Sequence, residues 1–377
     1  MKKKKIPIGI EDFKRLIDKG CYFVDKSLLI RDILDSGADV HLFTRPRRFG
    51  KTLNQSMIQY FFEKQDIDNS YLFEGLNISC AGEEYMEHQG KYPVITLSFK
   101  GMKKDTFEEA FTYFKWMMAQ ECQRHPEIAK SELISEVNQQ RYQKLVNEKG
   151  DVSDYFISIQ FLTDSLMRIH GKKAIVLIDE YDVPLENAHF MGFYDKMVSF
   201  IRSLFESALK TNSSLEMAVL TGCLRVSKES LFTGLNNLQI NSIQSGQFSE
   251  YFGFTEGEIK DLTEYFELSD KFSSIKEWYD GYRFGETEIY NPWSVLNYMQ
   301  EVRTVKTAMP APYWSNTSSN SIIHQLITNA DEDTRDVVEE LVNGGSITAP
   351  IHENMVYADI EVNQDGIWSF LLGMLNK

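Results

Sequence analysis

The segment Arg45-Pro46-Arg47-Arg48-Phe49-Gly50-Lys51-Thr52 ends in residues suited to gripping phosphate. In the pattern G-x-x-x-x-G-K-[ST], backbone N–H groups surround a polyphosphate, the lysine reaches its β and γ oxygens, and the hydroxyl binds Mg²⁺. Gly50, Lys51 and Thr52 meet the second half of that pattern, while Arg45 stands where its first glycine is expected. Taken alone, Gly-Lys-Thr also fits a basic turn at a helix start. A second set follows the apolar run Ala174-Ile175-Val176-Leu177-Ile178, which closes with Asp179 and Glu180. An aspartate ending such a strand can hold Mg²⁺ through its water shell, and the next glutamate can act as general base toward water. By itself this pair also fits a strand end capped by solvated acids. Both sets in this order point to nucleotide binding.

Both sets need a sheet to hold them. Val40 to Thr44 reads as a strand running into the phosphate-gripping segment, and Leu53 to Glu63 as the helix after it, with Met57, Tyr60 and Phe61 on its apolar side. Pro93 to Phe99 is a second strand. Thr106 to about His170 is helical with breaks at Pro126 and Gly150, a long insertion expected to cover one face of the site or to contact a partner. The aliphatic run 174–178 predicts a strand covered on both faces, and Leu215 to Leu220 a fourth strand ending in Thr221-Gly222. Strands alternating with helices give an α/β class with a mainly parallel sheet. Beyond about Phe248 the helices shorten and aromatic residues multiply. Tyr282 to Tyr290 fits a hairpin through Gly285, and Asn291-Pro292 an N-cap with proline in the first turn. A boundary there divides the chain into 1–250 and 251–377.

The chain has 377 residues, 42% of them apolar and 25% charged, so it can bury sizeable cores without disulfides or a structural metal. Its net charge of −15 argues against general polyanion binding, although a local basic patch is compatible with it. Lys2 to Lys5 reads as a solvated tail. No apolar stretch is long enough to span a membrane, and no signal peptide follows the lysines. Cys21, Cys80, Cys122 and Cys223 are dispersed, which fits reduced thiols in a cytoplasmic protein. His352-Glu353 lacks the second histidine of a zinc-protease motif.

Phe23-Val24-Asp25-Lys26-Ser27, the Pro-Arg-Arg-Phe-Gly-Lys-Thr segment, Leu177-Ile178-Asp179-Glu180-Tyr181-Asp182-Val183-Pro184, Leu231-Phe232-Thr233-Gly234-Leu235-Asn236-Asn237, Trp278-Tyr279-Asp280-Gly281-Tyr282 and Tyr290-Asn291-Pro292-Trp293-Ser294 together resemble the prokaryotic AAA-ATPase-like family. The likeness covers roughly residues 6 to 300. It implies an ASCE-type P-loop NTPase core, with the Thr221 strand between the P-loop strand and the Asp179 strand, followed by a small helical or winged-helix-like lid. Arg45 then belongs to the family's usual P-loop. Members often carry a C-terminal nuclease-like domain of the PD-(D/E)XK class. The stretch from Ile367 to Lys377 leaves no room for one, so the chain is expected to be a fragment or a short member. Asp359 and Glu361 lack the following lysine of such a nuclease and read as ordinary strand acids.

The resulting expectation is Mg²⁺-dependent ATP hydrolysis. Arg47, Arg48, Phe49, Gly50, Lys51, Thr52 and Leu53 contact the nucleotide, and Thr52 and Asp179 position Mg²⁺. Glu180 orients water, and Thr221 senses the γ-phosphate. Arg47 and Arg48 could bind phosphate or pair with acids such as Asp25. Arg225 could serve as an arginine finger or be a surface residue at a helix start. Asp182 could support Glu180, bind metal indirectly or form a salt bridge. An ATP-gated interaction module with little hydrolysis is the alternative, regulating a nuclease-like domain or partner protein. A homo-oligomer is compatible with either, and nucleic acid enters only through that absent domain. A module whose arginine cluster grips nucleic acid directly is disfavoured by the acidity.

Overall fold

The computed structural model describes residues 3–223, 231–232, 235, 237–313, 331–343, 345–350, 366–369 and 371. Arg225, Asp359 and Glu361 lie outside them. The strands are β1 (Val40–Thr44), β2 (Val94–Ser98), β3 (Ala174–Asp179), β4 (Leu215–Gly222), β5 (Leu238–Asn241), β6 (Tyr282–Phe284) and β7 (Thr287–Ile289). The α-helices are α1 (Phe13–Asp18), α2 (Leu28–Ser36), α3 (Lys51–Phe62), α4 (Glu83–Met86), α5 (Phe107–Arg124), α6 (Glu136–Val146), α7 (Val152–Phe156) and α8 (Ser158–His170). They continue as α9 (Val183–Met191), α10 (Tyr194–Leu209), α11 (Glu256–Tyr265), α12 (Phe272–Tyr279), α13 (Pro292–Thr304) and α14 (Glu332–Val342). Among the described residues no helix is long and apolar enough to cross a membrane.

Five strands form one parallel sheet in the order β2-β3-β4-β1-β5. The strand carrying Thr221 therefore lies between the P-loop strand and the strand of Asp179. Every residue of β1 and β3 is buried, as expected of strands with helices on both faces, and in β3 this accounts for the unbroken aliphatic run 174–178. Alternation sorts their side chains. Val176, Ile178, Ala218 and Leu220 enter a core under α5, α8 and α10, whereas Ile175, Leu177, Met217 and Val219 pack toward α2 and α3. Each such Val, Leu, Ile or Met side chain contributes about 2 kcal/mol by leaving water.

The insertion between β2 and β3 covers a face of the sheet rather than the site. α5, α6 and α8 pack into the first core, and the insertion reaches the central cavity only through Lys100 and Lys103. Glu121 of α5 accepts a hydrogen bond from the Thr96 backbone N–H at 2.9 Å, satisfying a donor on the sheet edge. β5 has a half-polar sequence too short to announce a strand, and it forms because β1 offers it an open edge.

A third core, built from Phe254, Ile259, Ile275, Tyr290, Val295 and Tyr298, lies around α11, α12 and α13. Ile6, Ile8, Tyr22 and Val24 pack against it, so the N-terminus joins the C-terminal helices. The β6–β7 hairpin turns at Gly285, with φ 54°. Asn291 accepts a hydrogen bond from the Ser294 N–H at 3.0 Å, with Pro292 opening α13. Lys5 is not a free tail residue: its backbone pairs with Gly20 and Tyr22 at 3.1 and 2.8 Å.

Candidate active site

β1 delivers the chain to the loop 45–50 and α3 carries it away. Gly50 adopts φ 83°, a left-handed conformation that suits glycine, and it begins the helix. Arg45 has no such conformation, so an arginine can occupy the position of the first glycine. Its side chain is fully buried and turned away from the loop. Nη1 donates to the carbonyls of Thr44 and Asn241 at 2.9 and 2.6 Å, and the guanidinium lies 5.2 and 5.0 Å from the rings of Phe252 and Phe284. Burial pushes its pKa down to about 9. Arg45 thus anchors the loop to β5 and the hairpin.

Lys51 is buried, and its Nζ donates to the Arg45 and Pro46 carbonyls at 2.8 and 3.0 Å. Thr52 Oγ1 donates to Asp179 Oδ2 at 2.7 Å, and Thr221 Oγ1 donates to Asp179 Oδ1. The Glu180 N–H donates to Thr221 Oγ1 at 3.4 Å. Gly222, just beyond, is needed for close approach: a Cβ there would lie 2.5 Å from the Tyr181 ring. Glu180 has φ 54°, a costly conformation for a non-glycine residue, and lines the cavity beside Lys51. Burial raises its pKa, Lys51 opposes that, and Asp179 and Asp182 add to it.

A family model described as Predicted AAA-ATPase, AAA-ATPase-like, matches residues 7–232. The chain belongs to this AAA-ATPase-like family. A relative from Azotobacter chroococcum mcd 1, the uncharacterized protein in the vnfD 5′ region, is 27% identical over 339 residues. That match covers 87% of this chain but only 57% of the relative's length. The solved structure of a Walker-type ATPase of Pyrococcus abyssi matches at 13% identity and a TM-score of 0.40, covering 85% of this chain and 76% of that one.

In this AAA-ATPase-like chain the P-loop opens into a cavity of about 390 Å³. Arg47, Arg48, Phe49, Gly50, Lys51, Thr52 and Leu53 all line it, with Glu180. Asp179 and Thr221 sit behind that wall. The Thr221 hydroxyl donates to Asp179 and accepts from the Glu180 backbone, so it links the two acids. Thr52 and Asp179 bring a hydroxyl and a carboxylate together. This is a hard-oxygen pair suited to Mg²⁺, whose other positions would come from nucleotide phosphates and water. Among the described residues no cluster of three His, Cys, Asp or Glu forms a metal site by itself.

The two arginines diverge. Arg47 Nη2 lies 3.2 Å from both carboxylate oxygens of Glu186 on α9. Arg48, at φ 72°, places its guanidinium 4.3 Å from the Trp293 ring. Neither pairs with Asp25, which instead accepts hydrogen bonds from the backbone N–H groups of Ser27 and Asn77 at 2.8 and 2.7 Å. Asp182 accepts from the Cys223 N–H at 2.7 Å.

Away from the P-loop the cavity wall becomes apolar, with Tyr22, Val24, Phe254, Leu262, Trp293 and Leu296. Lys26 closes this side: its Nζ meets Glu258 Oε2 at 2.6 Å, joining the N-terminal segment to α11. Sequence reasoning assigned none of these residues to the site. The signals were the Phe23–Ser27 and Tyr290–Ser294 segments, which carried family likeness without a role in the site.

Proposed function

We propose that this P-loop ATPase binds ATP with Mg²⁺ and hydrolyses it to ADP and phosphate. The observation that carries the reading is the convergence at one cavity of Lys51, the Thr52–Asp179 oxygen pair and the half-buried carboxylate of Glu180. Lys51 would exchange the carbonyls of Arg45 and Pro46 for β- and γ-phosphate oxygens, a stronger pairing because both partners are charged. The P-loop amides would bind the remaining phosphate oxygens. Thr52 and Asp179 would hold Mg²⁺, which supplies charge stabilisation of the transferring phosphoryl group when bound. Glu180, its pKa raised by burial, would accept a proton from water attacking the γ-phosphorus. Thr221 would act as a positioning residue by fixing Asp179 and the Glu180 backbone. The apolar half of the cavity suits a nucleobase, with Trp293 offering a stacking face.

We further propose that residues from about 251 onward act as a lid. The separate core around α11 to α13 supports this, as do the cavity contacts of Phe254, Trp293 and Leu296. ATP binding and turnover by the purified chain test the reading, beside Lys51→Ala and Glu180→Gln. Lysine-dependent binding with glutamate-dependent turnover is expected. Binding and turnover unchanged in both variants would refute the site.

A further inference from the structure

Behind the nucleotide cavity lies a second hollow, about 610 Å³, with a different chemistry. Three separate stretches of chain contribute its cations: Lys3, Lys4 and Lys5 from the N-terminal arm, Arg15 and Lys19 from α1 and its end, and Arg303 from α13. This concentration occurs in a chain with net charge −15. The arm is held in place rather than waving in solvent. Lys5 pairs through its backbone with Gly20 and Tyr22, and the Lys4 N–H donates to the Tyr265 hydroxyl at 2.9 Å. Arg303 is steadied by the Phe266 ring, 5.1 Å from its guanidinium. One carboxylate intrudes, Glu267, at 2.6 Å from Lys3. Among the described residues, Lys4, Lys5, Arg15, Lys19 and Arg303 form no salt bridge, and all five are exposed.

Apart from Lys3, which Glu267 pairs, these cations form no salt bridge among the described residues, so gathered around one hollow they repel one another unless an anion comes between them. Five cations without a salt bridge among the described residues exceed the charge of one phosphate, which suits a ligand that carries several phosphates in a row. A lipid surface fits less well. The hollow is concave, and none of the exposed large apolar side chains among the described residues lines it for insertion into a bilayer. We infer that this groove binds the phosphodiester backbone of a nucleic acid strand, without reading its sequence. Gly9 and Ile10 line both the groove and the nucleotide cavity, so the two sites share a wall.

The test is fluorescence anisotropy of a labelled, mixed-sequence single-stranded DNA titrated with the full chain over a range of salt. Lys5→Glu/Lys19→Glu/Arg303→Glu is compared with the unmodified protein. The unmodified chain should bind, and the variant should bind at least about tenfold more weakly at low salt. Its slope of log affinity against log salt should flatten by roughly 2, since each strand phosphate neutralised contributes about 0.7. Binding of a fluorescent ATP analogue should be unchanged, which certifies the fold and separates this inference from the ATPase reading. If the reversed charges unfold the chain, the Lys5→Gln/Lys19→Gln/Arg303→Gln variant takes their place and should show the same direction. No DNA binding by the unmodified chain, or equal binding by a folded variant, overturns the inference. So does binding to phosphatidylserine-containing vesicles in the absence of DNA binding.

Discussion

At the edge of β2 and at the end of β3 the chain buries acidic side chains to opposite ends. Beside β2, Glu121 and Glu63 are almost fully buried and share Arg124. Its Nη1 sits 2.8 and 2.9 Å from the oxygens of Glu121, and its Nη2 contacts Glu63. His125 joins Glu121 at 3.4 Å and Glu127 at 3.7 Å, and His170 meets Glu127 at 3.1 Å. Each charge there has a partner inside the chain. Beside β3, Lys51 has, among the described residues, only neutral carbonyls and a thiol as hydrogen-bond partners. Among the described residues, the carboxylate of Glu180 makes no hydrogen bond or ion pair. A closed network gains nothing from an outside ligand and serves stability. An open set is costly to hold, and it is retained where an external partner completes it.

The largest effect should come from the open set. Glu180→Gln should leave ATP binding intact and lower turnover by about a thousandfold, the usual contribution of a general base, measured by phosphate release. Lys51→Ala should weaken ATP by about a hundredfold in calorimetry, roughly the value of two charged hydrogen bonds. Neither change should lower the melting temperature. Arg124→Met inverts the pattern. It should lose about 2 kcal/mol of stability, less than breaking a fully buried pair costs because Arg124 is itself 32% exposed, with ATP affinity unchanged. A Lys51→Ala chain that melts early, or an Arg124→Met chain that loses ATP, would erase the distinction between the regions.

pH sharpens the same contrast. Burial disfavours charge on His125, but hydrogen bonds to Glu121 and Glu127 outweigh it and hold the pKa at about 9. A pKa raised above the ordinary 6.5 gives stability that is complete below pH 6.5 and lost as pH rises through 9. The melting difference between the unmodified chain and His125→Gln should therefore shrink across that window. The smallest effect concerns the cavity's apolar half. Trp293→Leu removes a stacking face and the contact with Arg48, so ATP should bind about fivefold more weakly. Inorganic triphosphate, lacking a base, should bind equally to both.

The local sequence was enough to mark the strand of β3, the P-loop with Gly50-Lys51-Thr52, the Asp179-Glu180 pair, the hairpin at Gly285 and the cap at Asn291. Each follows from short-range rules: apolar runs covered on both faces, a left-handed glycine, an N-cap before proline. What the sequence could not express was direction. Arg45, Arg47 and Arg48 differ by three positions at most, yet one is buried on aromatic rings, one is paired with α9 and one lies over α13. Nothing near Thr221 in the sequence announces its hydrogen bond to Asp179, which parallel pairing of β4 beside β3 brings about. The apolar half of the cavity and the basic groove join residues 3–24 to residues 254–303, segments far apart in the sequence. Composition and spacing fix which groups are present, but only long-range packing decides which of them share a cavity and which neutralise one another.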